Sequence, residues 1–76
     1  MHTMPAVEFA KSHSCDPDWV QAMADQGREA VVLSPGQRGT YSGFAATVVR
    51  HYANGMYEVR VPGGVTCISG ESFVPA

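Results

Sequence analysis

The chain has 76 residues, 45% of them apolar and 16% charged, with a net charge of −2. That length allows one domain with a core near the lower limit for independent folding, and the apolar content excludes disorder beyond the ends. No apolar run approaches the roughly 20 residues of a membrane span, and residues 1–10 lack the basic start and apolar centre of a signal peptide, so a cytoplasmic protein with no membrane partner is expected. Taken in chain order, residues 1–15 show no sustained period and read as a flexible N-terminal arm with a brief turn around residues 7–11. A capping helix is predicted over residues 16–27. Asp16 is a good N-cap, Pro17 fits the first helical position, Asp18 suits the helix dipole and Gly27 is a natural residue just past the end. Trp19, Val20 and Met23 fall on one stripe of this helix, which is too short to stand alone and must dock. Trp19 is read both as part of a lid over an open barrel end and as a candidate anchor for a partner.

Residues 28–76 form the second part. Short apolar runs at 30–33, 44–52, 56–61, 65–68 and 73–75 are separated by Ser34-Pro35-Gly36, Gly39-Thr40-Tyr41-Ser42-Gly43, Asn54-Gly55, Pro62-Gly63-Gly64 and Ser69-Gly70. Along residues 56–61, Tyr57, Val59 and Val61 alternate with Met56, Glu58 and Arg60, the period of a half-buried antiparallel strand, and Asn54-Gly55 is a hairpin signal. Pro75 suits an edge strand. The fold expected is mainly β, a five-stranded antiparallel barrel preceded by one short α-helix. The link 34–43 reads as a long loop with three glycines, a place where function is often carried.

A long first loop, a central hairpin and a short helical turn before the last strand together resemble the SH3-like barrel, a resemblance that covers about 45 residues. Within it, Val31-Val32-Leu33 followed by Gly36, Gly39, Gly43 and Ala46-Thr47-Val48-Val49 looks like the KOW module of ribosome-associated and transcription-elongation proteins. That resemblance implies nucleic-acid contact through a basic loop, where this chain has Arg38 alone. The segment 64–76 also resembles the end of the type II dihydrofolate reductase barrel, a family that forms a homotetramer around a central pore. Its pore motif is Val-Gln-Ile-Tyr, and the matching residues here are Val65-Thr66-Cys67-Ile68. The amide and phenol that hold folate and nicotinamide are missing, so no reductase activity is expected.

The inventory for other chemistry is thin. Cys15 and Cys67 fall in separate parts of the chain and read as buried small hydrophobes rather than a disulfide. His13 and Cys15 form an H-x-C pair, short of the four ligands a structural zinc site needs, so no metal is expected. Ser42 and Ser69 sit in glycine-bearing turns without a G-x-S-x-G elbow, and Glu58 and Glu71 read as solvated groups. Neither Pro-Gly turn precedes a helix with Lys-Ser/Thr, which removes the phosphate-loop reading. No catalytic residue and no cofactor are expected, and the chain does not read as an enzyme.

What remains is a binding surface. Residues 1–27 carry Lys11 against Glu8, Asp16, Asp18 and Asp25, a net −3; residues 28–76 carry four arginines against three glutamates, a net +1. Dedicated nucleic-acid binders show a stronger basic excess. Phe44 and Tyr57 are expected to fill the core, while Arg38 and Tyr41 on the 35–43 loop, with Arg50, Tyr52 and Trp19, are the candidate contact residues. The function expected is a protein-interaction adaptor or accessory protein using that loop and the adjacent strands, with a protein partner. The alternative is a nucleic-acid-binding regulatory protein of KOW-like type, whose four arginines would have to share one face. A homo-oligomer would suit so small a core.

Overall fold

The structure, a computed structural model, describes residues 2–76. In chain order the elements are β1 (Thr3–Pro5), α1 (Ala6–Ser12), α2 (Pro17–Asp25), β2 (Glu29–Val31), β3 (Arg38–Tyr41), β4 (Phe44–Ala53), β5 (Met56–Val61), β6 (Gly64–Ser69), a 3₁₀ turn (Gly70–Ser72) and β7 (Val74–Pro75). Tight reversals build the main sheet. Ser42 and Gly43 have φ of 51° and 82°, and Asn54 and Gly55 have 51° and 77°, the paired positive φ of type I′ hairpins. Pro62 and Gly63, with Gly63 at 96°, make the third reversal. These turns join β3 to β6 into an antiparallel meander, and β7 returns to pair with β3, giving the order β6-β5-β4-β3-β7.

The fold class is therefore mainly β with a five-stranded antiparallel sheet, but the barrel is not closed. The expected first strand, residues 30–33, stands outside that sheet; β2 pairs instead with β1 in a separate two-stranded ribbon. Its place among the five is taken by β3, within residues expected to form a loop. A single side chain explains much of this. Tyr57 is fully buried, and its hydroxyl donates to the Val31 carbonyl at 2.8 Å while accepting from the Leu33 amide at 3.2 Å. Backbone groups that would otherwise seek a neighbouring strand are satisfied by a phenol.

The N-terminal residues are a second departure. Instead of a flexible arm, residues 3–12 are a strand and a helix, tied to β2 by the ribbon and by the Val32 amide donating to the His2 carbonyl at 2.9 Å. The cause is Phe9. It is fully buried and joins Ala30, Val31, Leu33, Ala46, Val48, Tyr57, Val59, Ile68 and Phe73 in one core. A core this small has little apolar material to spare, and α1 supplies one of its largest side chains. The helix expected over residues 16–27 is present as Pro17–Asp25: Asp16 accepts from the Asp18 amide at 3.0 Å, Pro17 is at the start, and Met23 is buried. No helix among the described residues is long and apolar enough to cross a membrane.

Candidate functional site

Strand β4 decides which side chains reach the outer face of the sheet. Its first part alternates normally, with Ala46 and Val48 buried. Val48 then pairs with Val59 and Arg50 with Glu58, so β4 advances two residues while β5 advances one. This bulge at Val49 exchanges the faces. Arg50 turns outward where strict alternation would have buried it, and His51 turns inward against Tyr57, with ring centroids 5.3 Å apart. A second register shift between His51 and Ala53 leaves Tyr52 exposed, its ring 5.4 Å from the Arg50 guanidinium carbon.

The outer face can then be read across the ladder. Arg38 lies opposite Thr47, Thr47 opposite Arg60, and Arg60 opposite Val65, so two arginines share one transverse row two strands apart. The next row carries Arg50, Glu58 and Cys67. Arg50 Nε bonds Glu58 Oε1 at 2.7 Å. Among the described residues, neither Arg38 nor Arg60 has a carboxylate within salt-bridge distance. Val65 and Val74 are exposed at opposite margins. Three arginines against one glutamate leave this face with a net +2, and it carries no lysine.

Of the candidate residues, the structure thus brings Arg38, Arg50 and Tyr52 to one surface and adds Arg60, which the sequence reading did not single out. The strict alternation of β5 places Arg60 outward from sequence alone, whereas Arg38 joins it through the sheet order, which sets β3 two strands from β5. Tyr41 is separated from Arg38. Three positions along β3, an odd step, set it on the inner side, half-buried against the core. Trp19 is also half-buried, its ring over Gly55, where a Cβ would sit 3.1 Å from the indole. Arg28 stands apart from the other arginines, bonded to Glu71 at 2.6 Å.

Three smaller expectations change. Residues 35–43 are not an open loop: the Gln37 amide donates to the Ser34 carbonyl, Gly36 and Gln37 exchange bonds with Val48, and Arg38–Tyr41 is strand. Phe44, expected in the core, is 61% exposed beside the Ser42-Gly43 reversal, where the sheet ends and no element of the described residues covers it. Cys67 is exposed rather than buried, because its position on β6 faces outward; Cys15 is half-buried, and both are free thiols.

Two other features lie outside this face. A cleft of about 210 Å³ between α2, β2 and the Asn54-Gly55 turn is lined by Trp19, Met23, Met56 and the Arg28–Glu71 pair. On the far side of that turn, His13 stacks on Phe9 at 3.8 Å and meets His51 edge-on at 4.9 Å. His51 Nε2 accepts from the Gly55 amide at 3.2 Å. Burial holds the His51 imidazole below its ordinary pKa, and the His13 ring adds to that. Burial likewise pushes the Cys15 thiol up. Among the described residues no three His, Cys, Asp or Glu side chains gather as a metal site.

Comparison of the chain with family models, with characterised proteins and with solved structures finds no match.

Proposed function

We propose that this chain is a small non-enzymatic binding module whose partner protein docks on the outer face of the five-stranded sheet. The observation that carries the reading is the convergence of Arg38, Arg50, Arg60 and Tyr52 on one exposed surface, with Arg38 and Arg60 unmatched by carboxylates among the described residues. Arginine and tyrosine without lysine, with aliphatic Val65 and Val74 at the margins, is the composition of interface centres rather than of ordinary solvated surface. A net +2 here, on a chain that is −2 overall, suits an acidic patch on a protein. Nucleic acid is less well served. Binding to it gains affinity from many phosphate contacts, while Arg28 is engaged with Glu71 and Arg50 with Glu58.

The test compares the wild-type chain with Arg38→Ala/Arg60→Ala as bait for partner capture, beside an amide NMR titration with single-stranded and duplex oligonucleotides at two salt concentrations. The double variant is expected to keep its stability to within about 0.5 kcal/mol, since both side chains are exposed, and to lose the partners held by the wild type. Unchanged capture sinks the reading. Salt-sensitive oligonucleotide shifts on the same residues would transfer the surface to nucleic acid.

A further inference from the structure

Among the described residues, strand β6 is the open edge of the sheet, paired only with β5. Val61 and Gly64 flank the two-residue Pro62-Gly63 reversal and form a hydrogen-bonded pair, so Val59 with Thr66 and Tyr57 with Ile68 are hydrogen-bonded too. By the same alternation the amides and carbonyls of Val65 and Cys67 point away from β5, toward solvent. Edge strands are normally protected by charge, proline, a bulge or short length. Residues 64–69 have none of these: six residues in regular register, without a charged side chain or a proline. The opposite edge is protected, since β7 has two residues and one is Pro75. Beside the open edge, Thr66 is exposed although its neighbour Val59 is fully buried, so the inner seam also lacks a cover.

We infer that this edge accepts an extended segment of the partner protein, which adds as a strand beside β6 and places an acidic side chain beside Val65, toward Arg60. The inference rests on the reading of the chain as a protein-binding module and names how the partner is held. Charge complementarity selects the occupant. Arg60 lies directly opposite Val65, one strand in from the edge, and has no carboxylate. With strands about 4.8 Å apart, an added strand runs roughly 10 Å from the Arg60 backbone, within the combined reach of an arginine and a glutamate. A second copy of β6 has no acidic side chain to offer. Strand addition supplies main-chain bonds, and the carboxylate beside Val65 supplies selection through Arg60.

The probe is a fluorescent ten-residue peptide alternating glutamate with valine and threonine, with the lysine-for-glutamate peptide as control. Anisotropy with the full chain is expected to show saturable binding of the acidic peptide only, with amide shifts centred on Val65 and Cys67. Cys67→Pro removes an outward amide and no internal bond, and Arg60→Glu reverses the selecting charge; each is expected to weaken binding roughly tenfold or more. Circular dichroism checks the fold of each variant, and Arg60→Glu serves if Cys67→Pro does not fold. Absence of binding, or equal binding by the folded variants, overturns the edge inference, while arginine-dependent partner capture would leave the face reading standing. A dimer in sedimentation equilibrium that Cys67→Pro dissociates assigns the edge to a second copy and also overturns it. Salt-sensitive oligonucleotide binding at Arg38 and Arg60 removes both readings.

Discussion

Tyr57 is the residue on which the interior turns. Its inward direction was legible from the alternation of Tyr57, Val59 and Val61, but the work of its hydroxyl was not, because Val31 and Leu33 are far away in sequence. Tyr57→Phe leaves the Val31 carbonyl and Leu33 amide without their partner in the core. A loss of about 1–3 kcal/mol is expected, measured by urea unfolding. His51 sets the pH response. Its neighbours are His13 and Phe9 from the N-terminal side and Tyr57 and the Gly55 amide from the hairpin, and among the described residues no carboxylate is bonded to its ring. Its folded-state pKa lies below the ordinary value of about 6.5, so the native chain binds fewer protons there than the unfolded one. Stability is then full above that pH and is lost as the pH falls through the folded value. Urea midpoints between pH 8 and 5 are expected to drop, and His51→Gln, whose amide oxygen can still accept from Gly55, is expected to flatten the profile.

At the scale of elements, α2 and the β4–β5 hairpin were readable because each is written in local chemistry: an Asp-Pro cap for one and Asn-Gly for the other. Their junction was not. Asn54 supplies the left-handed turn residue and its Oδ1 also accepts from the Asp16 amide at 2.6 Å, fastening the start of α2 to the hairpin. Asn54→Gly keeps the turn and deletes the fastening, with an expected cost of about 0.5–1.5 kcal/mol in thermal unfolding. Strand β3 escaped the sequence reading because Arg38-Gly39-Thr40-Tyr41 has glycine where a strand prefers a branched side chain. Gly39 is needed for close approach. A Cβ there would meet the Phe73 ring at 2.6 Å and clash with the Val74 carbonyl. Gly39→Ala is expected to cost about 1–3 kcal/mol and to loosen β7, seen as faster amide exchange at the residues it pairs with.

For the whole molecule, the main consequence concerns the N-terminal segment. Were residues 2–12 a loose arm, their removal would leave the sheet folded. Because Phe9 is fully buried against both the ribbon and the sheet, removal opens the core of a chain with little apolar surface in reserve. Loss of dispersed amide signals, rather than a trimmed but folded spectrum, is the expected NMR result. The outer face behaves in the opposite way. Arg38, Arg60 and Tyr52 are exposed, so substitutions there are expected to change what the molecule holds and leave its melting temperature nearly alone.

By itself the sequence determined the mainly β class, a helix within residues 16–27, the β4–β5 hairpin and the inward set of β5, because each depends on dihedral preference and period within a few residues. Tertiary structure alone decided that β2 leaves the main sheet for β1, that Phe9 enters the core, and that a bulge at Val49 turns Arg50 outward. Those outcomes depend on which distant groups satisfy a buried carbonyl or fill a void. The arginine face joins the two kinds of information: its residue types are in the sequence, and its existence as a face follows from the register between strands.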